Sequence, residues 1–152
     1  MTSPKRVFVS YSSPEQDADA RKLETNLGKA KFDVWSDYTT PAGFEQDEDN
    51  WREEAIGGAD SVLVIMSNSY QAKDRCKLEA DLASNLKAKY GKPAIGFLKV
   101  ENFVENEWLK SVKGKARTID LTGRNYDKNL NILTNIVKRL PTAQATGKCN
   151  SF

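Results

Sequence analysis

The run Val62-Leu-Val-Ile-Met66, then the polar stretch from Ser67 to Lys77, then Leu78-Glu79, contains the side chain best placed to do chemistry. Five apolar residues in succession read as a strand buried on both faces. A polar loop follows, and a helix after the loop carries Glu79 in its first turn. In an open α/β sheet this order sets the carboxylate at the carboxyl edge of the strands, where such folds bind ligands. From pattern alone, a glutamate on a polar helix is an exposed one. Whether Glu79 is chemistry or decoration depends on the rest of the chain.

The chain contains no histidine. That excludes Ser-His-Asp and Cys-His nucleophile systems and the common imidazole metal sites. Any chemistry must run on carboxylates, hydroxyls, Lys, Arg or Cys, and no metal set is expected. With 23 basic and 21 acidic residues the net charge is only +2, too balanced to argue for nucleic acid or an anionic membrane as main partner. Lys113, Lys115 and Arg117 form a small basic cluster that reads as a solvated loop. Cys76 and Cys149 lie far apart, one of them in an expected tail. This argues against a structural disulfide and for a reducing cytosol. Cys76 itself reads as a small buried packing residue. No apolar run approaches the roughly 20 residues of a membrane helix. Met1 to Arg6 leads at once into a strand rather than a signal-peptide core.

The elements that must position Glu79 alternate strand and helix. Val7 to Tyr11 reads as the first strand. Ser12-Ser13-Pro14-Glu15 reads as a helix start, with a serine cap, proline at the first position and acid in the first turn. Ala20, Leu23, Leu27 and Ala30 recur at helical spacing, and Gly28 with Lys29 to Lys31 closes that helix. Phe32 to Ser36 is a second strand. A polar loop then runs from Asp37 to Asn50, with Pro41 and Gly43 as turn residues. A short helix from about Trp51 to Ile56 ends at Gly57-Gly58. Ser61 to Met66 is the third strand. The Glu79 helix is expected to turn Leu78, Leu82, Ala83 and Leu86 inward and to end near Gly91-Lys92-Pro93. Ala94 to Val100 and Arg117 to Leu121 are strands four and five, separated by a weakly patterned piece containing Trp108 and Leu109. Leu130, Leu133, Ile136, Val137 and Leu140 form the stripe of a last helix that Pro141 stops. The pattern predicts one domain over 1–140, an α/β fold with a single parallel sheet covered on both faces, and a tail or linker over 141–152.

In this order and spacing the segments resemble a TIR (Toll/interleukin-receptor) domain over about residues 5–140. Val7 to Tyr11 is similar to the family's first box. Asp33-Val-Trp-Ser-Asp37 with Pro41-Ala-Gly43 is similar to its second strand and the long loop after it. Trp51 to Ile56, Ala59-Asp60 and Val62 to Ser67 match the next helix and strand, and Cys76-Lys-Leu-Glu79 resembles the Cys-x-x-Glu that follows. The resemblance implies a flavodoxin-like three-layer fold with strand order 2-1-3-4-5 and a ligand crevice where strands one and three part. Other owners of that fold fit less well. A receiver domain needs acids where Ser10-Tyr11 and Ser67-Asn68 stand, and a flavodoxin has no role for the large loop after strand two.

Some TIR proteins only assemble; others cleave the nicotinamide–ribose bond of NAD+, with the glutamate matching Glu79 as catalytic residue. One carboxylate suffices for that reaction. Nicotinamide leaves NAD+ as a neutral molecule from a cationic state, so no acid is required as in ordinary glycosidases. What remains is positive charge growing on the ribose, which an ionised Glu79 would stabilise. The resemblance implies a substrate site of Tyr11, Ser12, Ser13, Asp37, Gly43, Phe44, Ser67 and Arg75. Phe44 would stack on nicotinamide, the residues from Tyr11 to Ser13 would hold ribose or phosphate, and Arg75 would pair with the pyrophosphate. It also implies a contact with further TIR domains through Pro41, Ala42, Gly43 and Glu45. NAD+ enters as substrate and no cofactor is expected; the location is cytoplasmic. In one respect the chain departs from the family: where many members have Trp, four residues before the glutamate, it has Arg75. Trp35 and Trp51 read as core rather than ligand platforms, and the acidic run Glu45 to Asp49 reads as a solvated loop. The alternatives are a non-catalytic adaptor and a nucleoside deoxyribosyltransferase-like enzyme. Linear and cyclic products are both open.

Overall fold

In a computed structural model the described residues are 4–36 and 48–140. Five strands form one parallel sheet in the order β2-β1-β3-β4-β5. They are β1 Arg6–Ser10, β2 Asp33–Trp35, β3 Ser61–Met66, β4 Ala94–Lys99 and β5 Thr118–Asp120. The helices are α1 Asp17–Lys29, α2 Glu48–Gly57, α3 Asn68–Ala72, α4 Asp74–Tyr90, α5 Glu107–Lys113 and α6 Tyr126–Lys138. The flavodoxin-like order that the TIR resemblance implies is the one observed.

Strand periodicity builds two cores. Val7 and Val9 of β1, Leu63 and Ile65 of β3, and Ala94 and Leu98 of β4 point to one face. There they meet Ala20, Leu23 and Leu27 of α1 and Leu133 and Val137 of α6. Phe8, Val62, Val64, Met66, Ile95 and Phe97 point to the other face, against α2, α3, α4 and α5. β3 lies between β1 and β4, and all six of its residues are buried, which is why it reads as an unbroken apolar run.

Several boundaries differ from the sequence reading. α1 begins at Asp17, not at Pro14. Residues 12–16 form a turn in which the Ser12 N–H donates to the Gln16 side chain at 2.8 Å and the Ser12 hydroxyl donates to Glu15 at 2.9 Å. Local side-chain bonds thus satisfy the groups a helix would have used. α2 begins at Glu48, inside the expected loop. The polar stretch after β3 contains α3, capped by the Ser67 hydroxyl, which accepts from the Tyr70 N–H at 3.0 Å.

The weakly patterned piece between β4 and β5 contains α5. Asn106 caps it by accepting from the Leu109 N–H at 2.8 Å. Asn106→Ala is expected to lower stability by about 1 kcal/mol, read as a shift in urea midpoint at constant slope.

α4 is turned about one residue away from the expected face. Its buried residues are Cys76, Glu79, Ala80 and Ala83, and Leu78 is 50% exposed. Small side chains at 76, 80 and 83 let the helix lie close to the sheet, with Leu82 and Leu86 half-buried at its flank. At 3.6 residues per turn a one-residue offset rotates the face by about 100°, and it is this rotation that carries Glu79 inward.

Candidate functional site

Glu79 lies in the second turn of α4 and is 1% exposed. Its burial follows from the elements around it. Ser10 ends β1 on the same face as Phe8, so strand alternation aims its hydroxyl at α4. That hydroxyl donates to Glu79 Oε1 at 2.7 Å. Arg52 of α2, 4% exposed, donates from Nε to Glu79 Oε2 at 3.2 Å. The Tyr70 hydroxyl of α3 lies 2.7 Å from Ser10 Oγ. A serine hydroxyl has one proton, and here it goes to the carboxylate; Tyr70 therefore donates to Ser10. The result is a directed chain from Tyr70 through Ser10 to one carboxylate oxygen, with a guanidinium on the other.

Each member is fixed by packing. Trp51, next to Arg52, is stacked on Trp35 at 6.4 Å and tilted against Phe8 at 6.1 Å. This pins α2 to β1 and β2, in keeping with the reading of both tryptophans as core. The Tyr70 ring stacks on Trp108 at 6.4 Å, and Trp108 Nε1 donates to Asp81 at 3.1 Å. α3 is anchored again by Gln71, whose side chain donates to the Val104 carbonyl at 3.0 Å and accepts from the Asn106 N–H.

The other residues expected at the site are dispersed. Tyr11 turns to the opposite core, in the cluster that holds Leu23 and Leu121; its carbonyl lies 3.6 Å from Cys76 Sγ. Cys76 is buried, as expected of a packing residue. Ser12 is buried in its turn, and Ser67 is buried as the cap of α3. The Ser13 carbonyl accepts from Lys73 Nζ, just before α4. Arg75 is exposed in the first turn of α4. Asp37, Pro41, Ala42, Gly43, Phe44 and Glu45 lie outside the described residues, as do the tail over 141–152 and Cys149. Arg52 was not singled out by sequence reasoning; its only signal is an arginine beside a core tryptophan, on a helix that must face α4. A cavity of about 170 Å³ opens on the α1–α6 side, lined by Asp19, Lys22, Val100 and Tyr126 among others; it does not include Glu79.

Lys73 also ties the turn after β1 to α4 by donating to Glu15. This hydrogen bond, with help from the Glu15 backbone N–H and the Ser12 hydroxyl, lowers the Glu15 carboxyl to about 2 from 4.5. A lowered folded-state pKa adds stability above the unfolded value and loses it as pH falls. The contribution is thus complete above about pH 4.5 and gone near pH 2. Glu15 is exposed, so the effect is small and screened by salt. Acid melts should show the melting-temperature difference between parent and Lys73→Met shrinking across that window to the part that the Lys73 bond to the Ser13 carbonyl contributes at every pH.

A parallel sheet of order 2-1-3-4-5, with a buried carboxylate at the carboxyl end of its first strand, defines a flavodoxin-like α/β protein with a polar centre at the ligand edge. The chain belongs to the TIR domain family, whose model matches residues 7–134. No curated protein matches it in sequence. Among solved structures it is similar to a prokaryotic SEFIR domain, with TM-score 0.65 and 19% identity over 95% of this chain and 99% of that one. It is also similar to the TIR domains of the activated Roq1 resistosome directly recognising the pathogen effector XopQ. There the TM-score is 0.60 and the identity 13%, over 89% of this chain and 74% of that one. A third similar structure is the Clostridium botulinum CMP N-glycosidase BcmB, with TM-score 0.51 and 16% identity over 85% and 98% of the two chains. At these identities the likenesses establish the fold. No helix among the described residues is long and apolar enough to cross a membrane.

Proposed function

We propose that this TIR domain is an NAD+ nucleosidase, a glycohydrolase or ADP-ribosyl cyclase, that acts in the cytoplasm in immune or defence signalling and becomes active when copies of it assemble. The observation that supports this most is Glu79 itself. A carboxylate 1% exposed, bonded to the last residue of β1 and to a buried guanidinium, is a costly arrangement. It stands at the strand edge where this fold binds ligands. In the reaction the nicotinamide–ribose bond breaks heterolytically and its electron pair leaves with the pyridine nitrogen, which becomes neutral. The ribose gains positive charge at its anomeric carbon. Glu79 would stabilise that charge, and water or an atom of the substrate itself would then capture the sugar. Ser12, Ser13 and Arg75 would bind NAD+ on the β1 and α4 sides; Asp37, Gly43 and Phe44 would do so from the loop after β2. Pro41, Ala42 and Glu45 would contact the next copy.

The test is nicotinamide release from NAD+ across a series of protein concentrations, with assembly followed by light scattering. Release that rises more steeply than protein concentration is the expected result. Its absence from protein shown to be assembled would refute the proposal. CMP belongs in a parallel tube because BcmB is named for cleaving that nucleotide; cytosine release there, with NAD+ untouched, would redirect the assignment.

A second reading is a non-catalytic adaptor working through contacts between TIR domains. The near-complete burial of the Arg52–Glu79 pair favours it, since a buried pair can serve the fold alone. It predicts assembly without NAD+ turnover and loss of partner binding on substitution of Gly43.

A further inference from the structure

We infer that Arg52 and the Tyr70–Ser10 hydroxyl chain are positioning residues that fix both the orientation and the charge of the Glu79 carboxylate for its reaction with a nucleotide sugar. The inference deepens the nucleosidase reading and rests on it for the reaction, though not for the clamp itself.

A carboxylate on a helix side chain has free rotation at its terminal torsion unless both oxygens are held. Here each oxygen is held by a different element: Oε1 by Ser10 from β1 and Oε2 by Arg52 from α2. A third element, α3, sets the direction of the Ser10 proton through Tyr70. The carboxylate plane is therefore set by groups from β1 and α2, with α3 acting through Ser10. A buried anion also needs compensation, and Arg52 supplies it at 3.2 Å, itself 5% exposed at the side chain. Among the described residues, ionisable groups brought to the carboxylate include Arg52 from α2 and, through Ser10, Tyr70 from α3. On α4 itself, Cys76 lies three residues earlier on the same buried face.

Arg52 has a second consequence. Its pair with Glu79 has no net charge, so what meets the substrate is a fixed dipole whose negative end is the carboxylate. Such a group works only if aimed, since preorganised dipoles act by orientation. Loss of aim should lower kcat while leaving substrate affinity almost unchanged.

Three variants test this: Arg52→Met, Arg52→Lys and Tyr70→Phe, each checked for folding by circular dichroism and thermal melting. Two quantities are read from each. One is the pH profile of nicotinamide release with its split into kcat and KM. The other is the titration of the Glu79 carboxyl carbon in protein labelled with ¹³C-glutamate, assigned by its disappearance in Glu79→Gln. Without Arg52 the buried carboxylate loses the guanidinium 3.2 Å from Oε2. In Arg52→Met the acid limb and the titration midpoint should then rise together, by about one pH unit or more. Arg52→Lys restores the charge but not the planar fork; it should hold the midpoint near that of the parent while kcat stays reduced. Tyr70→Phe removes one hydrogen bond worth about 1 kcal/mol, so kcat should fall about fivefold, with a smaller rise in midpoint and little change in KM.

Folded Arg52→Met and Tyr70→Phe proteins with parental midpoint and kcat would overturn the inference. Should Arg52→Met fail to fold, Tyr70→Phe and Arg52→Lys decide on the same terms. Should the parent release no nicotinamide, the nucleosidase reading fails by itself. The carboxyl titration then still decides the clamp: a midpoint raised in the variants upholds it, and an unmoved one refutes it.

Discussion

Glu79→Gln should cut nicotinamide release by roughly 10²–10³, equivalent to about 3–4 kcal/mol of lost transition-state stabilisation. Glutamine is the informative substitution because it keeps the volume and an oxygen that can accept from Ser10, while removing the charge. The ribose hydroxyl and phosphate contacts of NAD+ would remain, so KM should move little and the loss should fall on kcat. The variant will also be less stable than the parent, because Arg52 then faces a neutral amide. Rates are therefore compared at a temperature where melting curves show both proteins folded. Equal rates for the two would remove Glu79 from the mechanism.

Arg52→Met is expected to lose about 3–5 kcal/mol of folding stability, because it removes the guanidinium from one oxygen of a buried carboxylate. For a domain whose whole stability is about 5–15 kcal/mol this is a large fraction. The second arm of the experiment makes the expectation specific. In the double variant Arg52→Met/Glu79→Met no charge is left behind, and apolar side chains of similar length fill the space between α2 and α4. The double variant should be more stable than Arg52→Met alone. Urea unfolding of the parent, Arg52→Met, Glu79→Met and the double variant measures the coupling, which should exceed the few tenths of a kcal/mol seen for independent sites. Simple additivity would mean that the 3.2 Å contact contributes nothing to the fold.

What was legible in the sequence was the architecture. The apolar run of β3, the alternation in β1 and the stripe of α6 each report a burial pattern that the chain shows directly, and together they fix a doubly covered parallel sheet. What was misread was rotation and local competition. Leu78, Leu82, Ala83 and Leu86 make a plausible helical stripe, and Ala83 does face the sheet, but the smaller Cys76 and Ala80 join it there in place of the leucines, because close approach of α4 decides the matter rather than hydrophobicity alone. Glu79 looked exposed from pattern for the same reason: a buried ion pair requires two helices distant in sequence, and periodicity within one segment cannot reveal the other. Arg52 was overlooked on that account. Ser12 to Glu15 reads as a helix start because the right residue types are present; the side chains of Glu15 and Gln16 instead close a turn on Ser12. α3 was hidden because five residues are too few to show a period. The candidate site was thus legible only in part: Glu79 through its resemblance to a TIR glutamate, its contacts with Ser10 and Arg52 only through the fold.

The account turns on whether the buried carboxylate between β1, α2 and α3 breaks a base–sugar bond. The most direct measurement is nicotinamide released per protomer from NAD+ by assembled, folded parent protein and by assembled, folded Glu79→Gln under identical conditions. The account predicts sustained release by the parent and at least a hundredfold less by the variant, in line with the expected loss of about 10²–10³. Assembled parent protein that leaves NAD+ intact, or a variant that matches the parent, would contradict it.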